Sequence, residues 1–415
     1  MKSSSLYSDP VEHAICFNEK EHQIHWYQMN PDESCPDCDE TPPIKRYYLP
    51  LKEKLMRWFQ SEEMCTAMLG HWKNRDRWLG KEGPTFPLKE IWDGTRFKEI
   101  QCFFDPLSKW PLPHTCKKCE HKTILQNVVD EDEVEVTCPN CGLFAVIQPE
   151  FCHGDPRNIV FIGHWDGWQP KVGRRRAKSS GTIDLTIANI EKEERCKTKH
   201  MYVSPFVPEH KLPKKQPLVL DPFLQPILDE LEDLFINGIE IMYPFEVYDN
   251  VVPPGRCVIR CMLLCWTGDY PAQCQVGKFS KMGISGCTVD HCKGISLTDG
   301  GTTKYYVNNR EHHTNPWPKR EITTEIKVME RVEFQPSTQA KLRLVTTTGY
   351  SGMTLLTRMT NLYGFNPFTD MVHDSMHLVL LNLCRKLFSR IFGDERFIPD
   401  TSEFNQKLVD FPFTS

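Results

Sequence analysis

The stretch Asn158–Trp168, NIVFIGHWDGW, decides the fold that this sequence predicts. It opens with a short apolar run to Gly163 and then turns polar, which is the pattern of a strand followed by a loop. A basic polar loop comes next, and apolar and polar residues then alternate from Thr182 to Ile190. Met201 to Val207 supplies a third candidate strand. The chain therefore changes to strand patterns near Asn158, where we place the start of the core.

A helix and a further strand follow these three strands. Apolar residues recur on one side of a helix up to Phe235, and Asn237-Gly238 is a stop signal. Because proline lacks an N–H, Pro226 predicts that the regular helix begins there rather than at Pro222. Cys257 to Trp266 is apolar enough for a central, buried strand, which would end at Gly268-Asp269. Three strands, a helix and a further strand are the order expected of a ribonuclease H-like sheet.

The rest of the chain divides around this core. Beyond Gln273 the sequence is polar and irregular until about residue 340, which predicts an insertion. A final helix is expected from about Asp370 to Phe392, because its apolar residues lie on one helical face. The predicted fold class is α/β, with a ribonuclease H-like mixed sheet, an inserted segment, and zinc-ribbon and helical modules before them. The predicted units are a zinc-binding module (1–45), a helical segment (46–111), a zinc ribbon (112–150), a catalytic core (155–275), an insertion (276–369) and the C-terminal helix of the core (370–415).

Composition narrows the classes of function. With 415 residues, of which 40% are apolar, the chain is long enough for two or three domains, which argues against a single small binding module. The formal net charge of -5 gives no global basic signature, so contacts to nucleic acid are expected from a local cluster. The first residues lack a hydrophobic signal core, and no run approaches the roughly 20 apolar residues that span a bilayer. We therefore expect a soluble, intracellular protein without a membrane segment. The basic cluster comprises Arg174, Arg175, Arg176 and Lys178.

Cysteine spacing is the most specific local signal. The chain has 18 cysteines, several in CxxC pairs, which predicts metal thiolates rather than disulfides in a reducing compartment. Cys116-x-x-Cys119 and Cys138-x-x-Cys141 are separated by a distance that lets four thiolates surround one zinc ion tetrahedrally. The acidic loop between the pairs fits the outside of a zinc ribbon. The alternative, reduced thiols without a metal, leaves this spacing unexplained.

A second zinc site is predicted at Cys35-Pro-Asp-Cys38. Its partners would be Cys16 and one of His13, His22 or His25, and the sequence does not choose among the three histidines.

A third site is predicted around His373 and His377, which share a helical face at i and i+4 and are candidates to bind zinc with Cys287 and Cys292. Two interpretations compete with it: a helix-start cap by Asp374 with two ordinary histidines, and His291 as a rival ligand.

Two acids follow predicted strands, where a sheet edge presents carboxylates to a shared metal. Asp166 and Asp269 are candidates to hold paired divalent ions about 4 Å apart, one activating the nucleophile and the other stabilising the leaving oxygen. Such hard oxygen ligands suit Mg²⁺ or Mn²⁺. The alternative is that each Asp only caps a helix or forms a turn.

At these residues the sequence resembles the CACTA (En/Spm) DNA transposase family in the form found in animals and fungi. The matching stretches occur in family order and span nearly the whole chain, so together they are more specific than any single motif. They are Cys35-Pro-Asp-Cys38 leading into YYLPL, LKEIWDGTRFKE from Leu88, GDPRNI from Gly154, GHWDGWQP from Gly163, WTGDYPA from Trp266 and DSMHLV from Asp374.

The resemblance implies a ribonuclease H-like fold in which Asp166 is the first acid of a triad and Asp269 the second. It implies that Asp374-x-x-His377 is a motif between the second acid and the last, which makes Asp374 a further catalytic candidate. It also implies cleavage at transposon ends with Mg²⁺ or Mn²⁺, transfer of the freed 3′-hydroxyl to target DNA, structural Zn²⁺ and residence in the nucleus. A homo-oligomer is a further expectation.

The family's third acid, a Glu, has no clear counterpart before Ser415, since Glu395 and Glu403 lie in a weakly patterned tail. From the resemblance we therefore expect a truncated, decayed or host-domesticated transposase. Two other classes of function stay open. One is a catalytically dead zinc-dependent module that binds DNA or protein, and the other is a set of protein-interaction zinc ribbons without a DNA role.

Overall fold

The protein's structure is a computed structural model. It describes residues 10–18, 25–28, 34–40, 44–75, 89–126, 128–129, 132–169, 171–172, 175–176, 179–212, 220–246, 252–281, 283–294 and 317–374. The strands described there are β1 (Val11–Cys16), β2 (His25–Gln28), β3 (Ile44–Tyr48), β4 (Lys109–Pro111), β5 (His114–Thr115), β6 (Lys122–Thr123), β7 (Val134–Thr137), β8 (Phe144–Ile147), β9 (Phe151–His153), β10 (Ile159–Trp168), β11 (Lys171–Val172), β12 (Arg175–Arg176), β13 (Ser180–Ile187), β14 (Met201–Val207), β15 (Ile239–Tyr243), β16 (Gly255–Ile259), β17 (Cys261–Gly268) and β18 (Met371–His373). The α-helices with described bounds are α1 (Leu51–Trp58), α2 (Glu62–Met68), α3 (Gly70–Lys73), α4 (Thr95–Glu99), α5 (Lys192–Arg195), α6 (Asp221–Ile236), α7 (Tyr270–Val276), α8 (Ile322–Glu333), α9 (Thr338–Thr348) and α10 (Thr357–Tyr363).

A mixed five-stranded sheet in the order β14-β13-β10-β17-β18 forms the centre of the fold. β10 pairs antiparallel with β13 and parallel with β17, and β17 pairs parallel with β18. Ile159, Val160 and Phe161 are fully buried, because central strands covered on both faces need continuous apolar runs. At Gly163 a Cβ atom would lie 2.2 Å from the ring of Trp266, so only glycine permits this approach of β10 and β17. The protein is thus of mixed α/β class.

The outer strand β14 confirms the prediction for Met201 to Val207, whose bounds it reproduces. Two other strand predictions need correction. The strand predicted from Thr182 to Ile190 begins at Ser180 and ends at Ile187. Asp166 lies inside β10 rather than beyond it, because pairing with β13 continues through Asp166↔Thr182 to Trp168↔Ser180.

The predicted strand Cys257–Trp266 is two strands divided at Arg260. β16 pairs with β15 in a separate hairpin, and β17 belongs to the central sheet. Arg260 leaves the ladder at the division: its backbone N–H donates to Oδ1 of Asn158 at 2.8 Å, and its guanidinium donates to the carbonyl oxygen of Phe235 at 2.8 Å. The apolar run therefore contributes one strand to the β15–β16 hairpin and one strand to the central sheet.

Helix α6 begins earlier than predicted, at Asp221 instead of Pro226. Pro226 cannot donate to the carbonyl oxygen of Pro222, four residues earlier, so that oxygen loses its helical partner. Nη2 of the buried Arg46 on β3 donates to this oxygen at 3.0 Å and replaces the missing bond. A partner distant in sequence therefore lets the helix continue through an internal proline.

The N-terminal strands form a separate sheet, in the order β2-β1-β3, that packs against the central unit. The hydroxyl of Tyr48 donates to Oε1 of Glu230 on α6 at 2.9 Å. The backbone N–H of Leu49 donates to Oγ of Ser204 on β14 at 3.3 Å. The segment that follows, predicted as helical, contains α1 to α4.

Two predictions for the C-terminal half are wrong in part. The segment expected to be irregular until about residue 340 contains α8, whose N-terminus is capped by Glu321. Where a helix was expected to begin at Asp370, the structure has strand β18, because Met371 pairs with Trp266 on β17. The remainder of that predicted helix lies outside the described residues.

Candidate metal centres and an acidic sheet edge

Three CxxC turns share one backbone geometry. The residue after the second cysteine has a positive φ each time: 60° at Asp39, 58° at Glu120 and 69° at Gly142. Its N–H donates to the carbonyl oxygen of the first cysteine at 2.9 Å in all three turns. The N–H of the first cysteine donates in turn to the carbonyl oxygen of the residue five positions later, at 2.8 to 2.9 Å. Each turn thus holds two thiols on one side of a tight loop.

Two of these turns bring four thiols together, those of Cys116, Cys119, Cys138 and Cys141. Sγ of Cys116 lies 3.6 Å from Sγ of Cys141, and Sγ of Cys119 lies 3.5 Å from Sγ of Cys138. Thiolates at the corners of a tetrahedron with Zn–S bonds of about 2.3 Å are about 3.8 Å apart, whereas a disulfide requires about 2.05 Å. The four-cysteine cluster therefore fits a zinc ion.

Electrostatics favour the thiolate at two of the four cysteines, whereas at Cys141 the N–H of Leu143 lowers the pKa but hydrogen bonds to the neighbouring cysteines raise it to about 12. The backbone N–H of His121, followed by the side-chain amide of Asn140, lowers the pKa of Cys119. The backbone N–H of Lys118 likewise lowers the pKa of Cys116. Because the thiolate is the form that binds zinc, these donors prepare the cluster for a metal. No described cysteine forms a disulfide.

The third turn forms a second cluster in which the thiols of Cys16, Cys35 and Cys38 lie together. Sγ of Cys16 is 3.7 Å from Sγ of Cys38, again the separation expected of two zinc thiolates. Burial raises the pKa of Cys16 to about 12, so the thiolate needs a cation beside it. The three-cysteine cluster can hold zinc if one more ligand completes it.

Of the three candidate histidines for this cluster, His13 is engaged elsewhere. Its Nδ1 lies 3.5 Å from Nη2 of Arg46, and its ring stacks on Tyr48 with centroids 5.1 Å apart. Burial lowers the pKa of His13 to about 4. His22 and the side chain of His25 lie outside the described part of the structure.

The three predicted catalytic acids lie at one edge of the central sheet, which we call the acidic edge: Asp166, Asp269 and Asp374. On β10 and β17, His164 pairs with Thr267, so Asp166 and Asp269 each follow two residues later. On β17 and β18, Gly268 pairs with His373, and Asp374 comes next. Three neighbouring parallel strands, about 4.8 Å apart, thus bring their acids to the same end.

Helix α7 fixes this edge in place. Oδ1 of Asp269 accepts a hydrogen bond from the backbone N–H of Ala272 at 2.7 Å and so caps the helix. Nε2 of Gln273 donates to the carbonyl oxygen of Val372 on β18 at 2.6 Å. Nε1 of Trp165, beside Asp166, donates to Oε1 of Gln275 at 2.6 Å. The helix therefore links all three acid-bearing strands.

A histidine–aspartate pair at the acidic edge was not among the residues predicted from the sequence. Nδ1 of His164 lies 3.6 Å from Oδ2 of Asp184, its cross-strand partner on β13. The hydrogen bond to Asp184 raises the pKa of His164, and the charges of Asp166 and Asp374 act in the same direction. The only local signal was the two-residue spacing of His164 and Asp166, which places both on one face of a strand.

The third predicted zinc site is not assembled in the described residues. The ligand atoms of Cys287, Cys292 and His373 do not form a cluster like the other two, and His377 lies outside the described residues. Nε2 of His373 instead lies 3.2 Å from Oγ1 of Thr288. His291, the rival ligand, is 3.1 Å from Oε1 of Glu325.

The predicted basic cluster lies in the connection between β10 and β13. Lys171 pairs with Arg176, and Val172 with Arg175, in the short β11–β12 hairpin. Arg174 and Lys178 lie outside the described residues. Because β10 reaches the acidic edge just before this connection, the hairpin starts from that end of the sheet.

None of the helices described has the combination of length and apolar character that crossing a membrane requires. Comparisons with protein-family models, with curated proteins and with solved structures find no match to this chain.

Proposed function

We propose that this protein is a metal-dependent DNA nuclease and strand transferase of the transposase type, built on a ribonuclease H-like core. The observation that carries the proposal is the acidic edge, where Asp166 near the end of β10, Asp269 after β17 and Asp374 after β18 lie at the same end of three neighbouring parallel strands. Three carboxylates at one sheet edge are a donor set for hard divalent cations. A nuclear location and DNA as partner follow from this activity.

The order and direction of the strands support the fold in this proposal. The first three strands of the central sheet, β10, β13 and β14, run antiparallel to one another in sequence order. Helix α6 follows, and β17 and β18 then add parallel to β10 on its other side. This is the arrangement of a ribonuclease H-like sheet.

The residues of the acidic edge fit Mg²⁺ or Mn²⁺, which would supply activation of water or of a 3′-hydroxyl and stabilisation of the leaving oxygen. Capping engages Oδ1 of Asp269, and a carboxylate has a second oxygen to offer. The bonds that Gln273 and Gln275 make from α7 hold the neighbouring strands in register with Asp269. These bonds position the backbone at the three acids, whose carboxylate oxygens do not all lie within 4.8 Å of one another as the cysteine ligands do.

Asp374 is proposed as the third acid. The family resemblance implies a Glu in that role, and Glu395 and Glu403 lie outside the described residues. Asp374 stands one residue beyond β18, and its charge acts on His164 together with that of Asp166. Electrostatic coupling to a shared neighbour supports a role for these two acids around one site.

The test is cleavage of a labelled DNA duplex with Mg²⁺ or Mn²⁺ by zinc-loaded protein. Asp166→Asn, Asp269→Asn and Asp374→Asn keep side-chain shape and remove the charge, and Asp132→Asn, at an exposed position, is the matched control. We expect cleavage by wild type and the control, and its loss in the three edge variants. A folded wild type that binds DNA without cutting it would refute the nuclease.

A second candidate function is DNA binding without cleavage, favoured by the basic β11–β12 hairpin beside the acidic edge. Binding would then depend strongly on salt, because cationic side chains displace counterions from phosphates. It would be insensitive to loss of charge at Asp166 or Asp269. The cleavage assay and a binding assay on the same variants distinguish the two functions.

A further inference from the structure

A cavity of about 520 Å³ lies between helix α2 and the connection from β13 to β14. Met201, which follows this connection, pairs with Thr186, whereas Asp166 of the acidic edge pairs with Thr182, nearer the other end of β13. The cavity is therefore separate from the proposed cleavage site. The described residues that line it are Glu62, Glu63, Thr66 and Ala67 of α2, and Glu194 and His200 of the connection.

The buried side chain in this lining is His200, of which only 1% is exposed. Its Nδ1 lies 2.7 Å from the carbonyl oxygen of Glu194. A carbonyl oxygen only accepts hydrogen bonds, so Nδ1 carries the proton, and Nε2 of the neutral ring presents a lone pair. Nε2 is buried and has no hydrogen-bond partner. Because a buried acceptor without a donor costs free energy, a ligand that brings an N–H group to Nε2 from the cavity would be favoured.

Three carboxylates line the cavity, and two of them have a cationic partner. Nζ of Lys199 donates to Oε1 of Glu63, and Nζ of Lys197 donates to Oε1 of Glu194. In the described part of the chain the exposed Glu62 forms no ion pair. The lining thus combines one uncompensated negative charge with a buried acceptor, which favours a cation that donates several hydrogen bonds.

We propose that this cavity binds a guanidinium group, either of an arginine side chain or of a free guanidino compound. A guanidinium ion has one positive charge, five N–H donors in a planar fork and no acceptor, so it matches Glu62 and Nε2 of His200. A metal ion fits less well, because no three ligand atoms of His200 and the three glutamates lie within 4.8 Å of one another. The donors of the fork point in different directions and can reach separate acceptors.

A ligand-observed NMR titration of the full, zinc-loaded chain tests this inference without reference to nuclease activity. The probe is acetyl-arginine methylamide, whose two ends are blocked as they are within a peptide. Free arginine and acetyl-lysine methylamide are compared with it. We expect saturable binding of the capped arginine and weaker binding of the capped lysine. Tighter binding of capped than of free arginine would identify a peptide as the source of the guanidinium group, and the reverse order would identify a free compound.

His200→Asn tests the buried acceptor. Asn keeps a side-chain N–H that can donate to the Glu194 carbonyl oxygen, but it has no counterpart of Nε2. Binding of the capped arginine should weaken about tenfold, as expected for the loss of one hydrogen bond to a charged group. The matched control is His210→Asn, because Nδ1 of His210 lies 3.0 Å from the carbonyl oxygen of Ser179 while its ring is exposed and lies outside the cavity lining. The control should bind the probe like wild type.

Glu62→Gln tests the uncompensated charge and should also weaken binding of the capped arginine. Its control is Glu133→Gln, which removes the same charge from an exposed position outside the cavity lining. Because Glu62 is exposed, this variant keeps the test decisive even where His200→Asn does not fold. The inference is overturned if folded wild type shows no saturable binding of the capped arginine, if the capped lysine binds as tightly, or if both cavity variants bind like their controls.

Discussion

The backbone N–H of Asp374 donates a hydrogen bond to the carbonyl oxygen of Gly268 at 3.2 Å. Gly268 precedes Asp269, so this bond joins the ends of β17 and β18 at the point where each strand delivers an acid. Two acids that are 105 positions apart in sequence therefore belong to one edge. Asp269 also caps helix α7. Substitutions at this position can therefore separate its structural role as a cap from its proposed chemical role.

Asp269 can be changed in two ways that differ only in the cap. Asp269→Ala removes the bond to the N–H of Ala272 and should lower the free energy of unfolding by about 1 kcal/mol. Asp269→Asn should stay near wild-type stability, because Asn is an equally good N-cap. Urea unfolding and DNA cleavage are measured on both variants. Cleavage retained by Asp269→Asn would show that the residue is only a cap.

The central strands were accessible to sequence analysis because their burial is local in sequence. The apolar run at Ile159–Phe161 and the strand Met201–Val207 can be predicted without knowing which strands pair with them. The sequence predicts a helix where the structure has strand β18, because Met371 fits an apolar helical face as well as it fits a strand. Pairing with Trp266 decided between them, and that contact is distant in sequence.

The candidate sites likewise include features that are local in sequence, which can be predicted, and features that depend on strand pairing, which cannot. The cysteine pairs are short motifs, so the sequence predicts both clusters, and the structure confirms that Cys16 lies with Cys35 and Cys38. The pairing of His164 with Asp184 depends on the register of β10 and β13, which the sequence does not display. Asp374 is a candidate by resemblance alone. Its position beside Gly268 depends on the pairing of β17 with β18, which the sequence does not show.

The bond between Arg46 and Pro222 should be energetically coupled to Pro226. Arg46→Met removes the donor to the Pro222 carbonyl, and an unsatisfied buried acceptor costs about 1–3 kcal/mol. In a Pro226→Ala background the new N–H at position 226 can donate to that oxygen, so the same substitution should cost less. A double-mutant cycle from urea unfolding measures the difference. Equal costs in both backgrounds would contradict the role assigned to Arg46.

His71 predicts a specific dependence of stability on pH. It is fully buried, its Nδ1 lies 3.2 Å from Nδ2 of Asn189, and burial lowers its pKa to about 3. The unfolded chain binds a proton near pH 6.5, whereas the folded chain does not until about pH 3. Folding stability due to His71 is therefore fully present above pH 6.5 and is lost as the pH falls, by about 1.4 kcal/mol for each pH unit.

The comparison variant is His71→Gln, which removes the titration and keeps a polar side chain. Unfolding free energies of wild type and variant are measured from pH 7 to pH 4 under identical zinc loading. The variant should be less stable at pH 7 and should lose less stability on acidification. Parallel curves for the two proteins would show that His71 does not titrate differently in the folded and unfolded states.

The basic hairpin predicts how DNA affinity responds to salt. Arg175 and Arg176 form β12, in the connection that leaves the acidic edge after β10. If each arginine neutralises one phosphate, Arg175→Ala/Arg176→Ala should make the slope of log affinity against log salt shallower by about 0.9 for each phosphate that is no longer neutralised. Fluorescence anisotropy with a labelled duplex between about 50 and 200 mM salt gives the slope.

The control for the hairpin is Lys327→Ala/Arg343→Ala, which removes the same charge from exposed positions on α8 and α9. Its slope should stay close to that of wild type, because these side chains lie on helices outside the β10–β13 connection. Equal changes in the two variants would mean that net charge, rather than the position of the hairpin, determines binding. A change confined to the hairpin variant would show that the β10–β13 connection, which starts at the acidic edge, contacts the phosphate backbone.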